Sequence, residues 1–206
     1  MSGLSGLSGL SHLAIRPVVA GDVDALLAFE LEHRAYFERW VNARDPRFYS
    51  EQGVADAIAA AEAARAADRA FQYLVVEGDR IVGRVNLTAV RRAPFECADL
   101  GYRIGEHDGG RGIASSAVAM CLAAAFGTHG LLRIEATARP ENPGSIRVLE
   151  RNGFRQFGHS RRSFELGGQW FDRLLFERHA DSLGSQLSLI EREQFSHVQD
   201  MRPSST

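Results

Sequence analysis

Three glycines, Gly109, Gly110 and Gly112, stand directly ahead of an apolar, alanine-rich run in the stretch EHDGGRGIASSAV (residues 106–118). Inside a helix or strand each would cost backbone entropy, so their place is a turn. Two kinds of turn fit. One is a loose surface connection. The other is a loop whose bare amides approach an anion at a helix N-terminus, where unpaired N–H groups meet the positive end of the helix dipole. That second kind takes a phosphate without lysine or metal. No Gly-Lys-Ser/Thr follows, which excludes a Walker A loop, and the Gly-x-Gly-x-x-Gly spacing of a dinucleotide fold is absent.

The 206 residues suffice for one domain with a sizeable core and are few for two. Hydrophobic residues at 45 % and charged residues at 24 % describe a soluble globular protein. A net charge of −2 excludes nucleic-acid binding by bulk positive charge. All 24 basic residues are arginine, a bias that favours bidentate contacts to anions. Cys97 and Cys121 sit among apolar residues in no metal or redox spacing and read as buried free thiols of a reducing compartment. No apolar run approaches membrane-spanning length. Residues 1–12, with Ser-Gly-Leu repeated three times, read as a flexible leader without the features of a signal peptide. The expectation is a cytoplasmic protein with neither nucleic acid nor membrane as partner.

The elements around the loop follow from periodicity. LAIRPV is a short strand that Pro17 ends, and from Asp22 a helix runs toward Trp40, with Glu30 a polar break in its apolar spacing before Leu31. EQGVADAIAAAEAARAADRA is a second helix. The period then changes to two: residues 71–90 read as a hairpin around Gly78-Asp79, and FECADLGYRIG as a third strand. After the glycines comes a helix to about Phe126, and LLRIEATA is another strand. NPGSIRVLERNG is a short helix with Asn142 as N-cap, Pro143 at its first position and Gly153 as its stop. A closing hairpin turns at Gly167-Gly168. Seven strands and their helices make an α/β or α+β fold with a mixed sheet. Residues 181–206 carry Leu183, Leu187 and Ile190 at helical spacing, either a partly ordered tail or a helix docked on the body or on a second subunit, which leaves a homodimer open.

Taken together, DLGYRIG, GGRGIA and ENPGSIRVLERNGF resemble the GNAT superfamily of acetyl-CoA-dependent N-acetyltransferases, and within it the branch that acetylates ribosomal-protein alanines (RimJ/RimL). The likeness covers residues 13–180 and implies one acetyltransferase domain: a mostly antiparallel sheet of about seven strands with a splayed fourth strand. The family's pyrophosphate loop, Arg/Gln-x-x-Gly-x-Gly/Ala, falls on Gly109–Ala114, with Gly112 and Ala114 in its last fixed positions. Gly109 replaces the usual Arg or Gln, so one side-chain contact is missing. Gly110, Arg111, Ile113 and Ser115 would contribute backbone. Tyr102, Arg103 and Ile104 of the fourth strand would pair with the pantetheine arm, and Asn142 would hydrogen-bond its end.

What the resemblance implies chemically is direct attack of an amine on the thioester of acetyl-CoA, a co-substrate, with no metal. Many members place a proton-donating tyrosine where this chain has Leu149, so Ser145 is the candidate to protonate the leaving thiolate. Asp99 matches a fourth-strand acid and is the first candidate base; Glu135 is the second. HRAYFERW (33–40) falls where the acceptor pocket forms, and Trp170 is a further candidate wall. His33 and His107 read as surface residues. The acceptor is expected to be a protein N-terminal amine; a small amine (polyamine, aminoglycoside or amino acid) and a non-catalytic acyl-CoA-binding module are the alternatives.

Overall fold

The computed structural model describes residues 13–180, so the leader expected over 1–12 and the tail expected over 181–206 lie outside the described residues. The period-two stretches form β1 (Leu13–Pro17), β2 (Phe71–Glu77), β3 (Arg80–Arg91), β4 (Cys97–Ile104), β5 (Arg133–Ala138), β6 (Arg155–Leu166) and β7 (Gln169–His179). The helices are α1 (Val23–Glu32), α2 (Arg34–Glu38), α3 (Glu51–Ala66), α4 (Ile113–Ala123) and α5 (Pro143–Arg151). One seven-stranded sheet runs in the order β1-β2-β3-β4-β5-β7-β6. Each pairing is antiparallel except β4 with β5. The expected fold class is the one observed.

Alternation along β2 sends its side chains to two cores. Tyr73 and Val75 join Leu87, Ala98 and Leu100 beneath α4 and α5, while Leu74 and Val76 lie with Leu26, Val54 and Ile58 of α1 and α3. A strand covered on both faces reads as a continuous apolar run, as β2 does. Leu149 is fully buried in the first core, with Phe154 and Phe176.

Local capping behaves as the sequence dictates around α5. Asn142 Oδ1 accepts from the Ser145 amide at 3.0 Å, Pro143 opens the helix and Gly153 follows it at φ +76°. Two expectations need correction. The helix expected from Asp22 toward Trp40 is two helices, because His33 leaves helical geometry at φ −102°, ψ 7°. Its ring is buried against Gly105, where a Cβ would come within 2.6 Å of Nε2. Glu30 is no solvent-facing break either: it is wholly buried, and Leu31 is the residue turned outward, 49 % exposed. The helix after the glycines ends at Ala123 and continues as one wider π turn, Ala124–Thr128.

Candidate active site

β4 and β5 stay paired over four residues, Cys97–Leu100 against Arg133–Ala136, and then part. Beyond that point Gly101–Ile104 bond to β3, and Thr137 and Ala138 bond to β7. A wedge opens between them. It leaves one edge of β4 with unpaired backbone groups at Gly101–Ile104, which include the expected pantetheine-facing Tyr102, Arg103 and Ile104. An extended, amide-bearing chain can add to such an edge as a strand does.

The glycine loop closes one end of the wedge. Gly110 and Gly112 lie at φ +76° and +81°, the left-handed region that side chains resist. Gly112 caps α4 with no side chain over the helix end, so the amides of residues 110–115 are unpaired among the described residues. The loop is held from beneath. Asp108, 3 % exposed, accepts both terminal nitrogens of Arg80 at 2.8 Å and Arg111 Nη1 at 2.8 Å. The Arg80 hydrogen bonds, with Arg111 adding to them, hold its carboxyl below the usual carboxylate range. Arg111 is tied back again to Glu77 at 2.6 Å, so its backbone faces the loop while its guanidinium braces it. Ser115 Oγ lies 3.2 Å from Asn152 Nδ2 at the α4–α5 contact. Gly109 is extended, and a Cβ there would sit 3.3 Å from the Glu106 carbonyl. Amides at a helix N-terminus, with open space over Gly110 and Gly112, fit a diphosphate.

Loop and wedge share one cleft of about 440 Å³, lined among others by Tyr36 and Trp40, Gly101, Tyr102, Gly110 and Ser145. Tyr102, from β4, reaches α5: its hydroxyl is 2.9 Å from Ser145 Oγ and 3.2 Å from the Ser145 carbonyl, to which it donates. Burial pushes the Tyr102 phenol up to about 12. Asn142 also lines the cleft, with Oδ1 occupied by the cap and its amide nitrogen unpartnered among the described residues.

Asp99 and Glu135 face each other in register at the vertex of the wedge. Arg91 lies 3.6 Å from Asp99 and 3.4 Å from Glu135. Burial raises the Asp99 carboxyl above its ordinary range, Arg91 opposes the shift and Glu135 reinforces it. Neither carboxylate lines the cleft. Asp99 precedes Gly101 by one strand repeat on the same face, about 7 Å away.

Some expectations fail here. Trp170 stands at the end of the β6–β7 hairpin, 63 % exposed and not among the cleft's lining residues. His33 is buried rather than superficial, and only His107 is exposed. Sequence reasoning assigns no place in the site to the side chains of Tyr102, Glu30, Arg84 or Asn86. Arg84 and Asn86 sit on β3 opposite Arg103 and Gly101 and line the cleft, while Glu30 lies beneath them. Only the alternation of β3 against β4 could have signalled the last two.

A splayed mixed sheet with a glycine cradle at the α4 N-terminus defines an acyl-coenzyme A-dependent transferase. The chain belongs to the acetyltransferase (GNAT) domain family, whose model matches residues 12–155. It is 31 % identical to the "Probable N-acetyltransferase YjcK" of Bacillus subtilis (strain 168) over 77 % of this chain and 88 % of the relative. It superposes on Mycobacterium smegmatis RimJ in complex with CoA-disulfide with TM-score 0.77 and 30 % identity, covering 83 % of each chain. For ribosomal-protein-S5-alanine acetyltransferase from Vibrio fischeri the TM-score is 0.80 and identity 25 %, over 83 % of this chain and 94 % of that one. The protein is an acetyl-CoA-dependent N-acetyltransferase. No described helix is long and apolar enough to cross a membrane.

Proposed function

We propose that the acceptor is the α-amine at a protein N-terminus, acetylated by direct attack. The observation that carries the reading is the single cleft in which the wedge, the glycine loop and Ser145 meet beneath α2. Support also comes from the likeness to RimJ of Mycobacterium smegmatis and to a neighbour named as a ribosomal-protein-S5-alanine acetyltransferase. Such an acceptor would place the activity in the cytoplasm.

Acetyl-CoA, when bound, supplies a thioester carbonyl open to a neutral amine. The amides of residues 110–115 hold the diphosphate, and the free edge of β4 with the Asn142 amide orients the arm. Asp99 takes the proton of the attacking amine through water, with Glu135 as the second candidate, and a β4 amide at the wedge polarises the carbonyl. Ser145 donates its hydroxyl proton to the departing sulfur; the Tyr102 hydroxyl, protonated at neutral pH, turns from the Ser145 carbonyl to Oγ, passes its proton on and takes one back from solvent. Leu149, in the core, takes no part.

The test is thiol release from acetyl-CoA across a panel of peptides with free N-termini. Turnover supports the reading. Retained acetyl-CoA binding without turnover on any peptide overturns it.

A further inference from the structure

The cleft is not electrically neutral. Of its lining residues, Arg84 and Arg103 are the charged ones, and among the described residues no carboxylate lines it. They face each other across β3 and β4, on the side covered by α1 and α2. Beneath them Glu30 accepts Arg84 Nη1 at 2.8 Å and Arg103 Nη1 at 3.1 Å, with Arg44 3.7 Å away. Three guanidinium groups thus share one buried carboxylate, an excess of two positive charges. Other acids nearby are committed elsewhere: Glu38 to Arg34 at 2.8 Å and Glu106 to Arg39 at 2.6 Å.

The cluster is also short of hydrogen-bond partners. Arg84 is 5 % exposed, spends its other terminal nitrogen on Gln72 at 2.8 Å, and leaves Nε buried and unpartnered. Arg103 uses Nη1 alone for hydrogen bonding among the described residues and stacks over Phe37 at 5.0 Å. Burial lowers the Arg103 guanidinium to about 10 and lowers Arg44 as well, against the pull of Glu30 and with the neighbouring guanidinium groups adding to the shift. One strand repeat along β3, Asn86 faces Gly101 at the mouth of the wedge with its side-chain oxygen buried and unpartnered. A buried acceptor atom and a buried donor left open in one cleft are expected to find partners in a ligand.

We propose that the acceptor side of this cleft is built for an anionic amine: Asn86 receives an N–H of the attacking amine, and Arg103, backed by Arg84, binds a carboxylate about 7 Å away, one strand repeat along the sheet. The inference rests on the N-terminal acetylation reading and sharpens it. In a peptide the spacing corresponds to an acidic side chain at the first or second residue. A polyamine finds two like charges here and no carboxylate to meet it.

The test compares three pentapeptides that differ only at the second residue, Glu, Gln or Lys, with spermidine as a polycation. Binding to the CoA-saturated protein is measured by calorimetry, and kcat and KM are measured with acetyl-CoA. Tighter binding and lower KM for the Glu peptide, about tenfold against Gln, are expected, a difference of about 1.4 kcal/mol. The Lys peptide and spermidine should bind weakest. In Arg103→Gln the Glu-to-Gln ratio should collapse toward one, and Arg103→Lys should restore part of it. Coenzyme A affinity is measured in each variant to separate this ratio from any change at the β4 edge. A wild-type ratio near one, a preference for Lys or spermidine, or no peptide binding overturns the proposal. Preferential binding of the Glu peptide without turnover leaves the anion site standing and overturns the N-terminal acetylation instead.

Discussion

The Tyr102 hydroxyl and Ser145 Oγ lie 2.9 Å apart, joining the free-edged strand to the helix that closes the cleft. Where the family resemblance implies a tyrosine on the helix itself, this chain carries Leu149 in the core and brings a phenol in from β4. In the proposed mechanism the pair is a relay in which one hydroxyl donates and the other replenishes it. Ser145→Ala is expected to lower kcat by about 10²-fold, the lower end of general-acid effects, with a small change in the acetyl-CoA KM. Tyr102→Phe should lower kcat less, and the double variant should be no worse than Ser145→Ala alone. Additive losses in steady-state kinetics would separate the two residues.

The direction of the Tyr102 shift sets an alkaline expectation. A phenol raised to about 12 loses its proton only near that pH. The kcat profile should therefore show no decline from this group between pH 8 and about 10, where an ordinary tyrosine would begin to ionise.

With Asp99 as the proposed base, an acidic limb is expected. Because burial raises its carboxyl, the deprotonated form that accepts a proton is lost at a higher pH than for an ordinary aspartate. The acid limb of kcat/KM should fall above the ordinary carboxylate range and vanish in Asp99→Asn. If Glu135→Gln removes it instead, the base is Glu135.

The loop offers a gain as well as losses. Gly112→Ala, at φ +81°, should weaken coenzyme A binding about tenfold, because the free loop can relieve the left-handed cost of roughly 1–2 kcal/mol by shifting and binding must restore it. Gly109 is extended at φ −63°, compatible with a side chain once the Glu106 carbonyl 3.3 Å away gives slightly. Gly109→Arg should tighten coenzyme A binding severalfold by calorimetry, through the diphosphate contact that the family pattern implies for a side chain at this position.

Asp108 ties stability to pH. Its folded carboxyl lies below the unfolded value, so its contribution is present above the ordinary carboxylate range and is lost as pH falls through the folded value. Asp108→Asn should lower the melting temperature at pH 7, by about 2–4 °C for each kcal/mol lost, and the gap to the wild type should close below about pH 4.

Local signals made the strands, the glycine turn and the α5 cap legible: Asn142, Pro143 and Gly153 act within a single helix. The charged floor of the cleft was not, because its partners are far apart in sequence. Glu30 meets Arg84 across 54 residues and Arg103 across 73, and in a helical projection its spacing is that of a solvent-facing acid. The break at His33 likewise depends on a close approach of Gly105, which no local pattern encodes. From sequence Tyr102 is only a backbone contributor, because the placement of α5 alone reveals where its hydroxyl ends.

The four-residue pairing of β4 with β5 is also a seam. On one side lies the meander β1–β4, on the other the β5–β7–β6 ribbon, and beyond the seam no strand-to-strand bonds cross the wedge among the described residues. A ligand lying along β4 and reaching Asn142 spans both halves and acts as a clasp between them. Its binding then stiffens the sheet as a whole, so amide exchange should slow in β5 and β7 as well as at the residues the ligand touches.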